Sequence, residues 1–195
     1  DKARELGNLL EPLGIRIKTL LNFPLAEQIE ETGETLTENA LLKARAGFRL
    51  SGLPTIADDT GLEVMALNGE PGVYSSRFAG ENATYADNVR KLLEVMESVP
   101  DDRREGLFVT VAAYVDKAVE IVASGQVAGQ ITRHPRGAGG FGYDPVFLVD
   151  ETQKTYAEMS LTEKNQMSHR ARAFRNLLTQ LQSQPLFKQL ELPID

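Results

Sequence analysis

The stretch Leu53-Pro54-Thr55-Ile56-Ala57-Asp58-Asp59-Thr60-Gly61 constrains this chain more than any other. An apolar run of strand-forming residues ends in two adjacent carboxylates and a glycine. Charge is costly to bury unless it is paired or bound to a metal. The pair therefore reads as carboxylates delivered to the rim of a sheet, where open α/β sheets bind ligands. A turn between two strands is the other reading, since Asp, Thr and Gly are common turn formers. Successive side chains on a strand point to opposite faces. Asp58 and Asp59 therefore need not share a job: one can bind a metal while the other is held by backbone N–H groups or a cation.

Helical and strand patterns alternate around this stretch. Leu6, Leu9, Leu10 and Leu13 lie at helical spacing, and residues 15–23 suit a short strand. Thr35-Leu36-Thr37-Glu38 matches a capping box and predicts a helix to about Leu50, with Ala40, Leu41, Ala44 and Phe48 inward. Residues 53–58 read as one buried strand and 62–67 as another, ending at the turn Asn68-Gly69. Thr84 caps a further helix with Val89, Leu92, Leu93 and Met96 as its core stripe. Strand is expected at 108–115 and, after a hairpin turn at Asp116-Lys117, at 119–123, continuing as strand over 126–132. A last helix starts near Ser168, a good N-cap residue, with the stripe Phe174, Leu177, Leu178 and Leu181. The pattern predicts an α/β fold with a twisted mixed sheet and a cleft. The 195 residues suffice for one sizeable domain.

Composition removes several classes of function. Lys plus Arg total 21 against 28 Asp plus Glu, a formal net charge of −7, which argues against a large nucleic-acid footprint. Local cations can still gather a small anionic substrate. The chain has no cysteine, so disulfides, thiolate nucleophiles and thiolate-held zinc are excluded. Its two histidines, His134 and His169, are too few for a histidine-rich zinc site. A hard, oxygen-ligated ion such as magnesium stays open. No apolar run reaches membrane-spanning length and no signal-peptide pattern opens the chain, so a cytoplasmic protein without a membrane partner is expected.

Cations and glycines add a second set of candidates. Arg170 extends the apolar stripe of the last helix at its N-terminal end, and Lys2 stands in the same relation to Leu6 and Leu9. A helix N-terminus disfavours cations, so an anion between them, phosphate above all, explains both; snorkelling to solvent is the alternative. His169 can pack, cap, or donate to a base or phosphate. Taken alone, Glu30-Glu31-Thr32-Gly33 reads as a solvated acidic loop and Glu163-Lys164-Asn165 as a solvated turn. In Arg136-Gly137-Ala138-Gly139-Gly140-Phe141-Gly142-Tyr143-Asp144-Pro145 the glycines let backbone approach a ligand. They leave the Phe141 ring free to stack on a planar base, with Tyr143 beneath it. A mobile hairpin whose aromatics fill a core is the alternative.

Taken in order, Thr32-Gly33-Glu34-Thr35-Leu36-Thr37-Glu38-Asn39-Ala40, Ala57-Asp58-Asp59-Thr60-Gly61-Leu62-Glu63-Val64, Pro71-Gly72-Val73-Tyr74-Ser75-Ser76-Arg77-Phe78-Ala79-Gly80, Gly139-Gly140-Phe141-Gly142-Tyr143-Asp144-Pro145 and Ser168-His169-Arg170 resemble the inosine triphosphate pyrophosphatase family, in its bacterial non-canonical purine triphosphatase branch. The resemblance covers nearly the whole chain as a single domain over 1–195. It implies an elongated two-lobed α/β fold with a central twisted mixed sheet, flanking helices and a cleft between lobes, and a homodimer. It further implies Mg2+-dependent hydrolysis of ITP, dITP and XTP to the monophosphate and pyrophosphate. By motif, Asp59 is the general base and a metal ligand, and Glu31 a second metal ligand. Thr60 contacts substrate. Phe141, Gly142, Tyr143 and Asp144 hold the base with Lys164, His169 and Arg170, and Lys2 and Lys43 face the phosphates. In that family a strand and a short Thr/Ser-Gly-Asn stretch come before the lysine matched by Lys2, and the sequence given, which starts at Asp1-Lys2, does not include them. A purine-nucleotide-binding regulator without chemistry is the competing expectation. A phosphomonoesterase is a third, although no alternating-Asp phosphatase pattern surrounds Asp58.

Overall fold

The computed structural model describes residues 29–184 together with residues 7, 17–19 and 22–23. The expected opening helix apart from residue 7, residues 15, 16, 20 and 21 of the strand expected at 15–23, and Lys2 lie outside these residues, and the described residues 17–19 and 22–23 form no strand. The elements run α1 (Leu36–Ser51), β1 (Thr55–Val64), β2 (Pro71–Gly72), α2 (Tyr85–Val95), β3 (Glu105–Val115), β4 (Glu120–Ile131), β5 (Phe147–Val149), β6 (Lys154–Thr155), α3 (Leu161–Met167) and α4 (His169–Gln182). The sheet order is β2-β1-β3-β4-β5-β6. The pairs β1–β2, β4–β5 and β5–β6 are antiparallel. No helix among the described residues is long and apolar enough to cross a membrane.

Local chemistry sets the helix starts. Thr35 accepts from Glu38 N–H while the Glu38 side chain returns to the Thr35 backbone, and Thr84 and Asp87 repeat this reciprocal cap for α2. Each pair satisfies two of the donors that a helix start leaves bare. The turn between β3 and β4 is set by Asp116, whose Oδ1 accepts from Ala118 N–H and Val119 N–H.

Three expectations are corrected. Residues 53–58 and 62–67 are not two strands: β1 runs unbroken from Thr55 to Val64, and Met65–Leu67 is a 3-10 turn. Asp58 and Asp59 therefore sit within a strand, neither at its rim nor in a turn. Glu163-Lys164-Asn165 is not a solvated turn but part of α3, where Lys164 is buried.

The chain divides into two compact units. The first comprises the described residues up to Asp59, Thr110–Gly125 and those from Arg170 onward. Its strand segments are covered on both faces. Ala112, Tyr114, Ile121 and Ala123 pack with Ala173, Phe174, Leu177 and Leu181 of α4. Val111, Ala113 and Val115 pack with Ala40 and Ala44 of α1. Burial on both faces explains why 111–115 reads as a continuous apolar run rather than an alternating one.

The second unit, Thr60–Val109 and Gln126–His169, has its own core around Leu62, Leu92, Phe108, Ile131, Phe147 and Tyr156. Phe147 meets Phe108 edge-on at 4.6 Å between centroids.

Candidate active site

In the first unit, the two faces of β1 assign the carboxylates. Ile56 packs with the α4 cluster and Ala57 with the α1 cluster. The period of two then sends Asp58 toward α4 and Asp59 toward α1. Their partners follow that parity. Arg170, in the first turn of α4 and 3% exposed, donates from Nε to Asp58 Oδ2 at 3.1 Å. Lys43 of α1 donates from Nζ to Asp59 Oδ1 at 2.6 Å and to Glu31 Oε1 at 2.7 Å. Glu31 and Asp59 thus converge on one cationic point, with side chains 29% and 8% exposed.

Burial sets the acidity here. It raises the Asp59 pKa above the ordinary carboxyl value, and repulsion from Glu31 adds to this; Lys43 and Asn39 act against it without cancelling it. Burial also works against the charge on Lys43, but attraction to Asp59 and Glu31 outweighs it and raises the ammonium pKa. A carboxylate with raised pKa beside a cation is suited to take a proton.

The second unit holds a separate aromatic and ionic cluster. Asp144 Oδ2 accepts from Phe141 N–H at 2.8 Å and from Lys164 Nζ, with both ion-pair side chains almost fully buried. This turn needs Gly140. Its φ is 73°, and a Cβ there would lie 2.0 Å from Asp144 Oδ2. The Lys164 ammonium stands 4.6 Å from the Phe141 ring centroid and 5.4 Å from that of Tyr156. Tyr143 is a core residue whose hydroxyl donates to Ser75 O at 3.0 Å, and burial pushes its phenol pKa up. Phe141 is only half-buried and meets Tyr85 at 6.0 Å. His169, 3% exposed, stacks on Phe108 at 4.4 Å, its Nδ1 3.3 Å from the Tyr156 hydroxyl. Thr60 and Gly142 belong to the same unit, and Gly142 has open space at its Cβ position.

The predicted site residues therefore fall into two groups. Glu31, Lys43, Asp59 and Arg170 lie in the first unit; Thr60, Phe141, Gly142, Tyr143, Asp144, Lys164 and His169 lie in the second. Sequence reasoning missed Asn39, Tyr156 and Phe108. Asn39 had a signal: it stands four residues before Lys43, a polar residue on the stripe that also carries Ala40 and Ala44. A surface hollow lined by Val122, Ser124, Asn176, Thr179 and Gln180 includes none of the predicted residues.

Among the described residues no three His, Cys, Asp or Glu side chains cluster as a ready metal cage. The donor set of Glu31 and Asp59 nonetheless fits one kind of ion. Magnesium is commonly held by one or two carboxylates, its remaining positions filled by water and substrate phosphates. The two carboxylate oxygens already meet at a single cation, the Lys43 ammonium.

Comparison with known proteins agrees with the resemblance carried by the motifs. Over 177 residues the chain is 50% identical to a dITP/XTP pyrophosphatase of Thermoanaerobacter pseudethanolicus, covering 90% of this chain and 89% of that protein. Over 185 residues it is 46% identical to the dITP/XTP pyrophosphatase of Escherichia coli strain K12, 93% of each chain. Among solved structures, a HAM1 protein from Coxiella burnetii superposes with a TM-score of 0.85 at 43% identity over 94% of each chain. With the model of the Ham1 family matching residues 1–180, the chain belongs to the Ham1 family.

Proposed function

We propose that this chain is a hydrolase that clears ITP, dITP and XTP from the cytoplasmic nucleotide pool, releasing the nucleoside monophosphate and pyrophosphate. The observation that carries the reading is the convergence of Glu31 and Asp59 on one cation in a partly buried setting. The relatives named dITP/XTP pyrophosphatase support the same substrate class.

Glu31 and Asp59 would hold Mg2+. When bound, that ion supplies charge neutralisation on the phosphates and acidifies water. Asp59 accepts the proton of the attacking water. The water oxygen bonds to the α-phosphorus, and the bond to the bridging oxygen of the pyrophosphoryl group breaks. Lys43, and Lys2 by its motif, offset the charge on the departing pyrophosphate; Arg170 serves there too while it holds Asp58. Chemistry of this kind is mainly positioning and charge stabilisation.

The second unit takes the purine. Phe141 stacks on the base, with Asp144 and Lys164 fixing the turn that presents it, and Thr60, Gly142 and Tyr143 contact the substrate. Donors near Phe141 and His169 select the 6-oxo group; adenine would set a donor against them, leaving polar groups unpaired. The working form is a homodimer of single-domain chains.

A nucleotide panel read for pyrophosphate with and without Mg2+ tests the proposal. We expect Mg2+-dependent pyrophosphate from ITP, dITP and XTP, little from ATP or GTP, and no turnover by Asp59→Asn although nucleotide still binds. Binding without turnover in the unaltered chain would favour a nucleotide-binding regulator, and orthophosphate as sole product would favour a phosphomonoesterase.

A further inference from the structure

Tyr85 opens α2, and its large ring is left mostly in water, 59% exposed. A single exposed aromatic calls for no explanation; the neighbour of this one does. The Tyr85 ring lies 6.0 Å from the Phe141 ring, centroid to centroid, with the planes tilted by 39°. Both residues belong to the second unit, and each ring is carried by its own fastened piece of chain. On one side, Asn88 is 2% exposed; it accepts from Ala79 N–H at 2.7 Å and donates to Ser76 O at 3.0 Å, which pins α2 to the loop before it. The reciprocal cap of Thr84 and Asp87 then sets the helix start from which Tyr85 projects. On the other side, Asp144 and Gly140 hold the Phe141 turn, and the Lys164 ammonium lies 4.6 Å from the Phe141 centroid. Side chains presented by anchored backbone of this kind make precise binding sites.

We infer that Tyr85 is a second aromatic wall of the purine site, with the base lying between the rings of Phe141 and Tyr85. The inference rests on the reading of Phe141 as the ring that stacks on the base. Two stacking contacts of about 3.5 Å each set flanking rings about 7 Å apart. At 6.0 Å the pair is closed by about 1 Å relative to that spacing. The exposed Tyr85 side chain supplies the opening, since exposed side chains rearrange in picoseconds to nanoseconds, while Phe141 stays on its anchored turn. Without nucleotide the two rings shelter each other's apolar surface; an inserted base exchanges that one contact for two. Stacking of this kind uses the π-face that every base offers, and a purine covers more of both rings than a pyrimidine does.

The test compares the unaltered chain with Tyr85→Ala, Tyr85→Phe and Phe141→Ala on dITP. Alanine is the best helix former and the Thr84 cap is untouched, so Tyr85→Ala keeps the fold. We expect it to raise KM by at least about fivefold, the lower end of what an aromatic partner is worth to a base, with most of the loss in KM rather than kcat. Tyr85→Phe keeps the ring and should stay within about twofold of the unaltered chain, because stacking needs no hydroxyl. The chain has no tryptophan, so Tyr85→Trp adds a single fluorescent reporter at the wall. Its emission, followed by stopped flow before turnover, should be quenched by dITP and not by inorganic tripolyphosphate, which has the phosphates but no base. An unchanged KM in Tyr85→Ala overturns the inference, and a lowered KM does so too, by making Tyr85 a cover over Phe141 rather than a wall. Emission that dITP leaves unmoved, or a loss in Tyr85→Phe as large as in Tyr85→Ala, also overturns it. Phe141→Ala separates the two levels of the reading. If it raises KM while Tyr85→Ala does not, only the second wall falls; if it leaves KM unchanged, stacking on Phe141 itself falls.

Discussion

Lys164 and Arg45 each close an ion pair, but their surroundings differ. Arg45 makes a forked contact to Glu120 at 2.8 and 2.6 Å with both side chains nearly half exposed. Water competes there, so Arg45→Ala should cost no more than about 1 kcal/mol. Lys164 and Asp144 are sealed, and the pair also anchors the Phe141 turn. Lys164→Met keeps much of the volume but leaves Asp144 as a buried charge without its cation. Breaking such a pair costs about 3–5 kcal/mol. Urea unfolding with an unchanged m-value should separate the two variants by at least about 2 kcal/mol; equal losses would mean that Asp144 finds another partner. This difference is invisible along the chain. Glu163-Lys164-Asn165 has the composition of a surface turn, and Lys164 is buried only because Asp144, twenty residues earlier, waits for it. The motif resemblance pointed to Lys164; propensity pointed away.

At the level of elements, what was legible is what local chemistry decides. The Thr35 and Thr84 caps are closed by side chains three residues on, so both helices could be read in advance. β1 was misread as two strands because Asp and Gly are poor strand formers. Tertiary partners override that preference: Lys43 and Arg170 come from different helices and neutralise opposite faces of the strand. The approach of α1 to β1 was not legible either. It depends on Gly47, where an added Cβ would lie 2.7 Å from Thr55 Cγ2. Two effects then compete in Gly47→Ala. Helix propensity favours alanine by about 0.8–1.0 kcal/mol, while overpacking costs about 1–3 kcal/mol. We expect packing to win, so that Gly47→Ala lowers the melting temperature and Gly47→Ala with Thr55→Ser, which removes the offending methyl, recovers it. A more stable single variant would show that the helix can shift outward at no cost.

Across the whole molecule the chain crosses between its two units within strands at three places and at the start of α4, between His169 and Arg170, rather than through linkers. β1 changes unit between Asp59 and Thr60, β3 between Val109 and Thr110, and β4 between Gly125 and Gln126. Each unit keeps a core of its own, yet a strand shared in this way loses half of its ladder when either core melts. Cooperative loss of both is therefore expected, in the manner of a single two-state domain. The comparison to make is between one buried residue from each core. Leu177→Ala, in the first unit, should cost about 2–5 kcal/mol, and Phe147→Ala, in the second, about 3–5 kcal/mol. Hydrogen exchange along β3 gives the decisive readout, because residues 105–109 report the second unit and 110–115 the first. Either substitution should speed exchange in both halves alike, at one shared denaturant midpoint. If Leu177→Ala loosened only residues 110–115 and left 105–109 protected, the units would fold independently. Continuous strands would then be a feature of connectivity without energetic weight.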